Sequence, residues 1–418
     1  LYTSDPVIEG KISYITMSGD SKTVMIGSSL SDDKGTDTGA VYVFGDTSYK
    51  PSRLNYEGLV EYTEFYPRDG KAGVSNFGSA IAVSYDAKHA LVGAHFDSDK
   101  GTQAGAVYYY IRENGTWIFQ EKFYAPDTVT DDRFGLSVAV NKTADIAIIG
   151  ASTKTEDSIW RTGVFYYFKR VNGSWIYQSK IKGSNFLTHK QFGSSCSLNA
   201  DGTIAVIGAP GDTPNTIESS GSFYYYKLLN NVWTQTGKIV SPEPETSGYF
   251  GSSVSLNSDA SICIVSAYGL DSSGILNAGV VYIYTRSGDV WTYQQKLTES
   301  PLSENNGFGI GLSLSPDSSI LAINSKGNQL TPTGQGRVYL YRRAGTTYGL
   351  FKTIYAKYPS EGNQFGRSIA LSYDGSFMLV GEEYNDIKAN NVGSVVFFST
   401  RELDYADTNP SKFIQRYK

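Results

Sequence analysis

Carboxylates are the residues whose spacing comes nearest to chemistry in this sequence. Asp97-Ser98-Asp99-Lys100-Gly101, with Asp32-Asp33-Lys34-Gly35 upstream, is spaced like half of a calcium loop. A hard cation of that kind takes roughly six to eight oxygens, and no distal carboxylate follows. Solvated loop acids and no bound metal are therefore expected, with Ca²⁺ the one ion in contention. His89, His95 and His189 lie without spaced Cys or acidic partners, and no G-x-S-x-G, H-E-x-x-H or phosphate-cradling loop occurs. A glycosidase needs two carboxylates converging on its substrate, whereas the paired acids Asp131-Asp132 fall in a connecting segment where solvation explains them. No cofactor and no enzymatic activity are expected. Cys196 and Cys263 stand at positions held elsewhere by apolar residues and read as small core fillers.

The elements that carry these residues are β-strands. Among 418 residues only 18% are charged, 14% are aromatic with 32 Tyr, and 44 are Gly, which favours strands and turns over helices. Lys and Arg number 36 against 41 Asp and Glu, a net charge of −5 that offers no field to nucleic acid or anionic membranes. No apolar run approaches the ~18 residues of a membrane span, so membrane insertion is not expected. The chain begins with Leu1 and shows no leader-like stretch, as a processed or partial chain would.

A Phe-Gly pair recurs at Phe77, Phe134, Phe192, Phe250, Phe308 and Phe365, at spacings of 57 or 58 residues, and a degenerate copy lies around Lys11–Tyr14. Each copy holds four β-like runs, read in one copy as 252–256, 262–267, 279–284 and 290–297. Turn pairs such as Asn114-Gly115 and Asn172-Gly173 join the third run to the fourth as tight hairpins. A lone four-stranded meander buries too little to stand alone. The sequence therefore predicts an all-β fold, a seven-bladed β-propeller of four-stranded antiparallel blades. Its blades fall near 11–66, 77–124, 134–182, 192–240, 250–298, 308–356 and 365–418, and residues 1–418 form one domain. The near-continuous apolar second runs suit strands covered on both faces. On the fourth run, Trp117, Trp175, Trp233 and Trp291 should fill the widening gap between blades, and Lys122, Lys180, Lys238 and Lys296, five residues on, should discourage edge pairing. For the last blade, Lys412–Gln415 is the expected outer strand, with Leu1–Glu9 alongside.

The combination of Phe-Gly, then Gly-Ala (Gly93-Ala94, Gly150-Ala151, Gly208-Ala209), then Gly-x-Val/Phe-Tyr (Gly105 to Tyr108, Gly163 to Tyr166, Gly279 to Tyr282) resembles the FG-GAP repeat. That resemblance implies the propeller of integrin α-subunit heads and of many surface proteins, used for adhesion or assembly. Integrin-like copies often cage Ca²⁺ between the first and second runs with a D-x-D-x-D-G-like string. Here those turns carry one Asp each, as in Asn199-Ala200-Asp201-Gly202 and Asn257-Ser258-Asp259, which suits an Asp-stabilised tight turn instead.

A meander blade sends its two hairpin turns to one side of the disk, and its longer loop and blade link to the other. The sequons at Asn114, Asn141 and Asn172 all map to the hairpin side. The opposite face carries Asp97, Asp99, Asp212 and Asp271, and Trp160, the one Trp outside a rim position, as candidates for binding. These readings converge on a secreted, extracellular or particle-surface glycoprotein. It would act by adhesion or structural assembly through a protein partner or self-assembly. The alternative is a lectin-like propeller that binds glycans between blades.

Overall fold

The computed structural model describes residues 12–31, 38–45, 60–67, 75–184, 189–327, 336–356, 364–385 and 392–400. Seven antiparallel sheets are present, each paired in chain order from first strand to last. Six have four strands, and the seventh has three among the described residues. The segments expected to finish that blade, Lys412–Gln415 and Leu1–Glu9, lie outside the described residues. First strands stand next to one another all the way round, the seventh blade's Phe365–Leu371 against the first blade's Ile12–Met17, so the sheets form a closed seven-bladed β-propeller.

The core is divided among the interfaces. Seven buried clusters each draw on two neighbouring blades, including one shared by blades seven and one through Ile15, Val24, Ala370 and Leu379. Second strands such as Ile146–Ala151 and Ile262–Ala267 are buried along their whole length, as strands covered on both faces should be. Trp117, Trp175, Trp233 and Trp291 lie buried in these interfaces, where the ring is widest.

Each interface is keyed by backbone rather than by side chains. Phe192 N–H donates to Thr162 O of the preceding blade at 3.0 Å, and Gly193 N–H donates to Gly208 O of its own blade at 3.0 Å. The Phe192 ring stands edge-on to Tyr224, centroids 5.2 Å apart, and Phe77, Phe134, Phe250 and Phe308 meet Tyr108, Tyr166, Tyr282 and Tyr339 likewise. The preceding blade has no room for a side chain here. A Cβ on Gly150 would sit 2.0 Å from Gly193 O, and one on Gly163, at φ +77, would sit 2.1 Å from Phe192 O. The Gly-Ala and Gly-x-Val/Phe-Tyr motifs thus supply the bare backbone into which the next Phe-Gly fits. Ser266 and Asn324 replace that glycine in blades five and six, and each turns a side-chain oxygen onto its own blade: Ser266 Oγ accepts from Ser253 N–H at 3.1 Å, and Asn324 Oδ1 from Gly311 N–H at 2.6 Å.

A second ring of bonds circles the hairpin side. The turn between first and second strands in each blade donates to the next: Asp20 N–H to Tyr85 O (2.8 Å), Tyr85 to Lys142 (3.0 Å), Lys142 to Ala200 (2.8 Å), Ala200 to Ser258 (2.8 Å), Ser258 to Pro316 (2.8 Å) and Asp317 to Tyr373 (3.2 Å). Tyr373 N–H closes the circuit on Ser21 Oγ at 3.1 Å. The turn carboxylates look inward. Asp201 Oδ1 accepts from Thr203 N–H, and Asp259 Oδ1 from Ser261 N–H, at 3.0 and 2.8 Å. These acids stabilise their own turns, as the sequence suggests.

The rim lysines correct one expectation. They do not guard the outer edges: Lys122 pairs with Asp97 and Asp99, Lys180 with Asp127 and Glu156, Lys238 with Asp212 and Lys296 with Glu243, at 2.6–2.7 Å. A bulge blunts each of these edges instead, two residues before the strand's paired lysine. In blades two, three and five the bulged residue is Gln120, Gln178 or Gln294, whose Nε2 donates to its own strand's carbonyls.

On the opposite side, blade links are pinned to the loops between second and third strands. Two residues before Phe134, the 2%-exposed Asp132 pairs with buried Lys154 at 2.7 Å. One blade on, Lys190 and Asp212 hold the same two positions with the charges exchanged, 3.9 Å apart. Blade five puts Gly248 and Leu270 there, with no charge at all. A buried charge tolerates either order but not the loss of its partner. Lys154→Met, stranding Asp132, should cost about 3 kcal/mol in urea unfolding. Asp132→Lys with Lys154→Asp should stay within about 1 kcal/mol of the parent, and a double variant as unstable as the single would contradict the exchange.

Candidate binding surface on the loop face

Trp160 owes its place to a miniature hairpin. Glu156 and Ile159 exchange backbone hydrogen bonds of 3.2 and 2.8 Å around Asp157 and Ser158, both at positive φ, and this leaves Trp160 at the lip of the loop. The ring is 52% exposed. His189, in the link to the next blade, donates its backbone N–H to Trp160 O at 3.1 Å, and the two rings meet edge-on at 4.6 Å. The Arg161 guanidinium lies 4.6 Å from the same indole.

The cluster continues towards blade two. Arg133 N–H donates to Gln103 O at 3.1 Å, its Nη2 donates to Gln103 Oε1 at 3.2 Å, and its guanidinium covers the Phe96 ring at 5.0 Å. Its Nε is buried with no hydrogen-bond partner. Burial and the neighbouring Arg161 charge lower the proton affinity of Arg133, an effect tempered by Asp131. His95 packs on Phe96 at 4.4 Å, with Nδ1 2.7 Å from Ser79 Oγ. Burial, then the Arg133 charge, pushes His95 down to about 4, so it is neutral at neutral pH. The face thus carries one continuous run, His189, Trp160, Arg161, Arg133, Phe96 and His95. Of these only Trp160 stands out in the sequence.

The candidate acids are placed differently. Asp97 and Asp99 come together on the Lys122 ammonium, and Tyr124 Oη donates to Asp99 at 2.8 Å. Asp212 is 1% exposed between Lys190, Lys238 and Ser222. Burial acts to raise its proton affinity, yet Lys190 and Lys238 hold its carboxyl below the usual range. Asp271 lies in the blade-five loop, accepting Asn277 N–H at 2.7 Å and donating its own N–H to Glu245 at 3.0 Å. Among the described residues no three His, Cys, Asp or Glu side chains are grouped to hold a metal ion. Nor do the turn acids and the Asp97–Asp99 pair fit the Ca²⁺ that an integrin-like repeat implies, since own-turn amides and Lys122 occupy their oxygens.

The hairpin side separates the three sequons. Asn114 and Asn172 are exposed at hairpin tips, each at φ +51 before a glycine. Asn141 is only 5% exposed; its Nδ2 donates to Thr143 and Asp145, and its Oδ1 accepts from Asp145 and Ile146 N–H. The folded turn leaves no room for a glycan at Asn141. Cys263 is buried and Cys196 partly so, both free thiols, and burial pushes Cys196 up to about 12, which keeps it protonated.

The comparisons with known proteins agree with this architecture. Residues 60–110, 117–168, 175–226 and 233–284 match the FG-GAP repeat. Each match begins on an outer strand or its hairpin and ends on the third strand of the next blade, so it straddles one keyed interface. A protein from Lactobacillus plantarum, solved by a structural genomics consortium, superposes with a TM-score of 0.57 at 12% identity, over 90% of this chain and 92% of that one. The WD40 repeats of RRP9 superpose at 0.54 and 12%, over 92% and 94%. At that identity both show a shared fold alone. No curated protein sequence matches the chain. Repeat motif, keyed interfaces and closed ring together make this chain a seven-bladed β-propeller of FG-GAP repeats.

Proposed function

We propose that this propeller is a non-catalytic module of an extracellular or particle surface, acting in adhesion or structural assembly by binding a partner protein on its loop face. The observation that carries the reading is Trp160: a large ring, half exposed, held by backbone bonds at the seam of two blades and flanked by Arg161 and His189. Rigid aromatic rings beside arginine are the residues that anchor interfaces. Support for the non-catalytic part comes from the acids of this face, whose carboxylates are committed to lysines and backbone amides. Support for a secretory route comes from Asn114 and Asn172, exposed on the side away from Trp160.

A lectin would repeat its stacking ring around the disk. At the positions equivalent to Trp160 stand Thr102, Glu218 and Leu276, so a sugar site here would rest on one ring.

The test uses protein from its native source. Chemical cross-links to partners should map to loop-face lysines such as Lys100 and Lys182, and Trp160→Ala should lower partner binding at least tenfold without changing the unfolding temperature. Glycopeptides should carry Asn114 or Asn172 and not Asn141. Cross-links confined to the rim or the hairpin side, or a Trp160→Ala variant that binds fully, would overturn the loop-face reading.

A further inference from the structure

We infer that the Trp160 cluster recognises an acidic segment of its partner, whose carboxylates engage Arg133 and Arg161 while an apolar side chain covers the indole; this rests on the loop face being the binding face. Arg133 and Arg161 lie close enough for one charge to depress the other. Among the described residues neither makes an ion pair. The carboxylates around them are already taken: Asp132 by Lys154, Glu156 by Lys180 and Lys182, Asp157 by Lys182, Asp97 and Asp99 by Lys122. Asp131, an exposed carboxylate, tempers Arg133.

The loop face therefore presents two guanidiniums without an ion pair, one of them stacked on an exposed aromatic ring. Holding two like charges together is unfavourable without a counter-charge. Carboxylates suit planar guanidinium forks, and the edge of Trp160 supplies the apolar contact that a simple anion could not use. Nucleic acid, the other common polyanion, would meet the negative charge of the remaining surface.

Random dodecapeptides displayed on phage and panned against the whole chain provide the test, with Trp160→Ala and Arg133→Gln/Arg161→Gln as counter-selections. The expected winners are rich in Asp and Glu around one aromatic or aliphatic residue. As synthetic peptides they should lose about tenfold in affinity on the double arginine substitution, and again between 50 and 500 mM salt. Winners that depend on Trp160 but carry no acidic bias, or bind the arginine variant equally well, would overturn the charge inference and leave the loop-face reading standing. Winners indifferent to Trp160 and to both arginines would overturn both. A winner replaced by inorganic phosphate at millimolar concentration would mark a simple anion site and also overturn the inference.

Discussion

The structure depends on one close approach: at four interfaces the backbone of the Phe-Gly crosses a glycine of the preceding blade at a separation that admits no Cβ. At Gly27, Gly93, Gly150 and Gly208 the added atom would sit 1.9–2.1 Å from the next blade's glycine carbonyl. Such a contact is all or nothing, because a carbonyl fixed in a neighbouring sheet cannot be pushed aside cheaply. It brings the Phe N–H within reach of the preceding blade's carbonyl and seats the ring on its own Tyr, so hydrogen bonding and aromatic packing follow from the missing side chain. It recurs from blade one to blade five, blades five and six carry Ser266 and Asn324 at the same position, and the circuit of turn hydrogen bonds on the hairpin side closes over all seven interfaces.

Much of this is legible in the sequence because the constraint falls on backbone and so on residue type. The 57- or 58-residue period locates the blades, and the runs read at 262–267 and 290–297 are the strands Ile262–Ala267 and Val290–Leu297. The first run, read from 252, begins at Val254, because Gly251 at φ +90 and its successor are spent on the crossing. What composition cannot convey is where long side chains reach. Each rim lysine has several rotatable bonds and ends on an acid of the loop face, which no local pattern reveals. The same holds for the binding surface. Trp160 is visible as the one tryptophan off the rim, but His189 joins it through a link-to-loop backbone bond, and Arg133 is held by the equivalent bond to Gln103 one blade back. Aligning the copies would have pointed to His189, since Asp131, Ser247 and Asn305 hold its position elsewhere.

The division of labour follows from the ring. Interfaces carry the stability, so loops and links are free to vary, and the buried pair that pins them shows how freely: Asp132 with Lys154, Lys190 with Asp212, Gly248 with Leu270. Variation of that kind on a rigid scaffold is how one repeat comes to present a different surface at each seam. Across the two seams from blade two to blade four the variable positions have accumulated two arginines, two histidines and an exposed tryptophan.

The most direct test of the keyed interface compares two alanines in urea. Gly150 and Gly349 both have ordinary backbone torsions, but a Cβ at Gly150 meets Gly193 O at 2.0 Å, whereas at Gly349 nothing lies within 4 Å. Gly150→Ala should lose about 3 kcal/mol of stability or fail to fold, and Gly349→Ala should be neutral or slightly stabilising. Equal, small effects at the two sites would show that the crossing can relax, and that the blades are held by side-chain packing alone.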